Sequence, residues 1–222
     1  MIDYKEIISP NSNPRTGRIE RITPHCMDGQ MSAASCANMD KFKAGGVASA
    51  NYIIGKDAEV VLNVPENRRA WTSSNRDNDF KAITFECASD KRANKNRFND
   101  CVYEKLIECI IDIMKRYNRK RIIWIPNKTV ALNYKVGEDE MILTVHRWFA
   151  AVECPGEWLY SRMGDIEKRV NAALSESIII PPSNTIYRVQ IGAFRDYNNA
   201  LKRLEEIKRL GYKDAFIKGD KE

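Results

Sequence analysis

From Lys81 to Pro126 the chain reads as strand, helix, strand, and this interleaving constrains the fold more than any other feature. KAITFEC (81–87) is apolar and β-branched enough to sit in the middle of a sheet. Residues 98–118 place Val102, Leu106, Cys109, Ile110, Ile113 and Met114 at helical spacing, which predicts a long helix with one buried face. RIIWIP (121–126) then reads as a second strand. Elements in that order must lay helices on a sheet. The first domain is therefore expected to be α/β (α+β), with a mixed central β-sheet flanked by helices.

The flanking segments fit the same plan. ISPNSNPRTG is turn-rich, and RIERIT (18–23) predicts the first strand. Ser32 can cap a helix running into the early 40s, which Gly45 and Gly46 end. SANYIIGKDAEVVLNV predicts a hairpin turning at Gly55-Lys56-Asp57. MILTVHRW reads as a strand or strand end, and a last helix is expected from Trp158 to about Leu174. This domain is expected to cover residues 1–175, followed by a linker over 176–184, where Pro181 and Pro182 stiffen the chain and exclude helix.

Residues 185–222 predict a small β-α-β unit. TIYRVQIGAF alternates as a strand does, Asp196 can cap a helix burying Ala200, Leu201, Leu204, Ile207 and Leu210, Gly211 ends it, and KDAFIKG is a second short strand. A unit of under ~40 residues is too small to bury a stable core by itself.

Composition narrows the function classes. No run approaches the ~20 apolar residues of a membrane span, and MIDYKEIISP lacks a signal pattern. The expectation is a protein made in the cytoplasm with no signal peptide and no membrane insertion. Six cysteines without a CxxC pair suggest free thiols rather than a disulfide framework. The net charge of +6 suits any polyanionic neighbour, but its basic residues are interspersed with acids, as in KRLEEIKRLGYKD, so no nucleic-acid partner is expected.

The chain has two histidines: His25 in RITPHCMDG, and His146, eight residues before Cys154 in LTVHRWFAAVECPG. Catalytic zinc takes three ligands of the His, Cys and carboxylate type and leaves one position open. His-x7-Cys by itself fits either such a site or two structural histidines beside a buried thiol. Cys26 adjoins His25, but consecutive strand residues point to opposite faces, so both cannot readily ligate one ion.

RITPHCMDG, SANYIIGKDAEV, RRAWTSS, NDFKAITFECAS and LTVHRWFAAVECPG occur in the order found in the type-2 N-acetylmuramoyl-L-alanine amidases. The resemblance covers roughly residues 18–172. These are the zinc amidases of phage endolysins, related in fold to peptidoglycan-recognition proteins. It implies one Zn2+ per chain held by His25, His146 and Cys154, and Glu86 as general base and then general acid. It implies a substrate groove bordered by Asn51, Tyr52, Trp71 and Thr72, with bacterial peptidoglycan as the partner. Several relatives carry a lysine two residues before the third ligand, thought to stabilise the oxyanion; here that position is Val152, which leaves either zinc alone to stabilise the charge or Arg147, Asn51 or a backbone N–H as a further donor.

YRVQIGAF and the residues C-terminal to it resemble half of the sporulation-related (SPOR) repeat, which docks on glycan strands. A half repeat suggests either packing on the first domain or a homodimer joined through the C-terminal units. The resulting expectation is a peptidoglycan amidase acting on the wall after holin-type release or lysis. The alternative is a non-catalytic peptidoglycan-recognition or regulatory protein of the same fold.

Overall fold

A computed structural model describes residues 2–176 and 191–219, which form two compact units that separate within the intervening stretch. The first unit begins with the short strands β1 (Lys5–Glu6) and β2 (Ser12–Pro14), followed by β3 (Arg21–Cys26), helix α1 (Ala33–Ala37) and a 3-10 turn (Asp40–Phe42). Next come β4 (Tyr52–Ile54), β5 (Val60–Leu62), β6 (Arg68–Ala70), α2 (Arg76–Lys81) and β7 (Ala82–Cys87). Helix α3 (Asp100–Arg116), β8 (Arg121–Ile123), α4 (Lys128–Asn133) and β9 (Glu140–Leu143) precede a second 3-10 turn at His146–Trp148. Helices α5 (Glu157–Tyr160) and α6 (Met163–Glu176) complete the unit.

Seven strands form one mixed sheet in the order β1-β5-β4-β7-β3-β9-β8, with β4 and β5 antiparallel and the other pairs parallel. KAITFEC is its central strand, as its apolar run predicts. The strand expected at 18–23 starts three residues later, at Arg21, and runs on through His25 and Cys26. The expected hairpin forms, and Ser32 caps α1 by accepting from the Ser35 N–H. The helix expected from Trp158 is broken into α5 and α6. Helices α2 and α4 are additional: six residues each, too short to show a helical period, and capped by Asn75 and Asn127.

The two faces of the sheet differ in chemistry. One face carries Ile22, Ile83, Phe85 and Tyr52 against Val102, Leu106, Ile110 and Ile113 of α3 and Ile166 and Val170 of α6, which together form the main core. On the other face α1 and the first 3-10 turn cover β4 and β5 through a smaller cluster of Ala33, Cys36, Ala37, Phe42, Ile53 and Val61.

That second face also buries a line of hydroxyls. Thr23 and Thr144 share a hydrogen bond of 2.7 Å, and Thr72 and Thr84 share one of 2.8 Å. Asn78 ties the first pair together: its amide donates to Thr23 Oγ1 and Ser73 Oγ, and its carbonyl oxygen accepts from Thr144 Oγ1 and the Arg21 guanidinium. Buried polar groups of this kind are tolerated only when satisfied.

In the second unit α7 (Tyr197–Arg209) is capped by Asp196, which accepts from the Asn199 N–H at 3.0 Å, and Gly211 follows it at φ +104. Ile207 is buried, while Leu201 and Leu210 of the predicted inward face are exposed. Residues 213–219, where the second short strand is expected, pair with no strand among the described residues. The first expected strand lies outside the described residues up to Gln190, and 191–194 are not in a strand. The linker prolines, Pro181 and Pro182, also lie outside them. Among the described residues no helix is long and apolar enough to cross a membrane.

An Asn78→Ala protein is expected to lose about 2–4 kcal/mol of stability in urea unfolding, because it removes from the interior the side-chain hydrogen bonds that Asn78 makes to Thr23, Ser73, Thr144 and Arg21. A loss below about 0.5 kcal/mol, the scale of an ordinary surface change, contradicts this account of the polar face.

Candidate active site

The site stands at the carboxyl ends of β3 and β7. Their parallel register sets His25 opposite Glu86, and paired residues of neighbouring strands share a face, so the imidazole and the carboxylate emerge side by side. β9 continues the alignment, pairing Ile22 with Leu143, and His146 follows in the 3-10 turn. The rings of His25 and His146 lie 4.9 Å apart.

Cys154 arrives from a turn that folds back on the same strand end. The Arg147 N–H donates to the Cys154 carbonyl at 3.0 Å, and the Gly156 N–H to the Glu153 carbonyl at 2.8 Å. Gly156 has φ +84, and a Cβ there would lie 2.5 Å from Asn96 Cβ, so glycine is required on both counts. The turn thereby holds Cys154 Sγ 3.3 Å from His25 Nδ1. One donor atom from each of His25, His146 and Cys154 lies within 4.8 Å of the others.

The electrostatics suit a cation. Burial, then the neighbouring His146, hold His25 well below the ordinary histidine range, and burial also lowers His146. Both rings are therefore neutral near pH 7, as metal ligands must be. Packing around Cys154 and the nearby Cys26 thiol push its pKa well above the usual thiol value. His25 Nε2 and Glu86 Oε2 are buried without a hydrogen-bond partner. Two neutral imidazoles and a thiol converge where protein groups leave buried polar atoms unmatched. The donor set is one that zinc accepts.

Burial raises Glu86 to about 7, against an opposing pull from Lys41. Cys26 is not one of the three converging donors and packs partly against the main core, with its thiol near Cys154.

The family model for N-acetylmuramoyl-L-alanine amidase matches residues 15–157. The chain belongs to this family. A second family model, the SPOR domain, matches residues 162–219 of the amidase. Among curated proteins none matches it. Among solved structures, PlyL superposes with a TM-score of 0.56 at 16% identity, over 76% of the amidase and 97% of that chain. The PlyG catalytic domain gives 0.53 at 15%, over 83% and 100%. The amidase LysC from Clostridium intestinale gives 0.50 at 17%, over 76% and 99%. At these identities the likeness concerns the fold.

The residues expected along the substrate groove are placed unevenly. Asn51 is fully buried: its amide donates to the carbonyls of Val64, Pro65 and Arg68 and its oxygen accepts from Thr84, so it has nothing left for a ligand. Tyr52 pairs with Phe85 and stacks on it, which puts its ring on the face opposite Glu86, and its hydroxyl donates to Glu66. Thr72 bonds to the Ser49 carbonyl and Thr84. Trp71 is partly exposed and its indole N–H donates to Asn13. Sequence reasoning did not single out Ser74, whose hydroxyl lies 3.4 Å from His146 Nε2 and whose φ is +55.

Of the oxyanion donors considered, Arg147 is occupied by Glu157 and the Glu153 carbonyl and stacks 4.7 Å from the Tyr160 ring. Val152 is exposed and apolar.

The shift of Glu86 makes a stability prediction for metal-free protein. Its pKa is raised in the fold, so its contribution is full below the unfolded value of 4.5 and is lost as pH rises through about 7. Between pH 5 and 8 the wild type is expected to lose up to about 3 kcal/mol relative to Glu86→Gln. Denaturant titrations with the same pH dependence in both proteins would contradict the burial of this carboxyl.

Proposed function

We propose that the amidase hydrolyses the bond between the lactyl group of N-acetylmuramic acid and the L-alanine of the stem peptide, with one zinc ion held by His25, His146 and Cys154. The observation that carries this reading is the convergence of the three donors within 4.8 Å, beside a partly buried glutamate on the next strand. Zinc, when bound, supplies Lewis acidity towards a carbonyl and towards water.

The chain's own residues supply the rest. Glu86, with its pKa near 7, takes the proton from attacking water and returns it to the leaving nitrogen. An amine leaves a tetrahedral carbon only once protonated, so the same carboxyl serves twice. Neutral His25 and His146 keep their lone pairs free for the ion. Ser74 steadies His146, and the turn closed by Gly156 steadies Cys154.

In this reading residues 1–175 are the catalytic domain, 176–184 a linker and 185–222 a wall-binding unit. The SPOR match begins at residue 162, immediately before α6, and so takes in that whole helix, but Met163, Ile166 and Val170 belong to the main core of the first unit, which favours a boundary after it. Trp71, partly exposed, is the groove residue best placed to stack on a sugar or peptide. The biological setting proposed is endolysin-like lysis, the protein reaching the wall through a pore or after the cell breaks. A homodimer joined through the C-terminal units belongs to the same proposal; light-scattering mass decides it.

Dialysis against a chelator is expected to abolish release of stem peptides from purified walls, and stoichiometric zinc to restore it. His146→Ala and Cys154→Ser are expected to lose metal and at least about 100-fold in rate, and Glu86→Gln to lose rate while keeping its metal. Wild-type rates in His146→Ala would overturn the proposal.

A further inference from the structure

Lys41 lies in a turn that covers the sheet face of the site, an element that none of His25, His146 and Cys154 comes from. α1 and the 3-10 turn at 40–42 cover the sheet face on which Glu86 and His25 emerge. Ile53, the register partner of Glu86 on β4, packs in the same cluster as Phe42 and Cys36. Phe42 is driven down into that cluster at 1% exposure, and Lys41 beside it is left at the surface. The Lys41 ammonium lies 4.9 Å from the Phe42 ring centroid, a contact that steers the side chain along the turn.

The backbone under Lys41 is held unusually firmly for an exposed turn. Buried Asn11 donates from its amide to the carbonyls of Lys41, Lys43 and Ala48, at 3.2, 3.0 and 3.0 Å. The Ala48 N–H donates to the Lys41 carbonyl at 2.9 Å. Gly46 passes so close that a Cβ there would lie 2.3 Å from the Lys41 oxygen. Ser9 donates to the Phe42 carbonyl.

The charge so placed is uncompensated. Asp40 pairs with Lys43, and Lys41 makes no ion pair among the described residues. Two other cations near the Cys154 turn are engaged, Arg147 with Glu157 and Arg92 with Glu153. The field of Lys41 is felt at Glu86, at His25 and at Cys36, groups on three different elements.

We propose that Lys41 is a substrate-contacting residue whose ammonium binds an anionic oxygen of the bound muropeptide on the Glu86 side of the cleft. The proposal rests on the amidase reading above. Two oxygens have the right chemistry: that of the scissile carbonyl as it gains charge, and a carboxylate on the leaving peptide one residue beyond the scissile bond. Either would complete a cation that the protein itself leaves unpaired.

The test uses zinc-loaded protein and two soluble muropeptides, one with a free carboxylate on the second peptide residue and one with a carboxamide there. Lys41→Met is expected to lower kcat/KM on the order of 10- to 100-fold, and Lys41→Arg to recover most of that. Melting temperature and zinc content should match the wild type, because the side chain is exposed. An equal penalty on both substrates assigns the reacting oxygen; a penalty confined to the acid assigns the carboxylate. Lys41→Met within about two-fold of an active wild type on both, or Lys41→Arg no better than Lys41→Met, overturns the proposal alone. A wild type inactive on both peptides overturns the amidase reading and this proposal with it.

Discussion

The parallel register of β3 on β7 is the constraint on which the site depends. His25 and Glu86 are neighbours only because Arg21 pairs with Ala82 and every later residue keeps step. A slip of one residue would turn His25 into the core with Phe85 and bring Pro24 or Cys26 to the surface it now occupies. Register of this kind is enforced from behind. Ile22, Ile83 and Phe85 fill the core face against α3, and no shifted pairing returns them there.

The opposite face carries the cost of function. It buries hydroxyls and amides where an apolar face would pack more simply, and each must find a partner. Asn78, Asn51 and Asn11 meet that need with both ends of their amides or with several carbonyls at once.

Most of the architecture could be read from residue patterns because its elements are long or strongly apolar. The 17-residue α3 and the central strand at 82–87 show their periods plainly. Helices α2 and α4 could not be read in that way; their only local sign is the asparagine before each. The donor triad was recoverable because ordered motif blocks supplied what His-x7-Cys spacing lacks. Tyr52 was misplaced for a simple reason: beside a groove-lining segment, strand alternation still sends every second side chain into the core. Asn51, which the resemblance sets beside the groove, is here a structural cross-link between backbone carbonyls and Thr84. Lys41 had no sequence signal, since its position depends on a fold-back made by residues thirty positions away.

That fold-back bears on how the catalytic domain should be delimited. The family match begins at residue 15, yet Ser9 and Asn11 precede it and pin the turn that carries Lys41 and Phe42. Ser49 also donates to the Asn11 carbonyl and receives the Trp71 N–H, so the same short segment reaches the groove edge. A fragment cut at the edge of the recognisable family would keep His25, His146 and Cys154 and still lose the hydrogen bonds that Ser9 and Asn11 give the turn at 40–42.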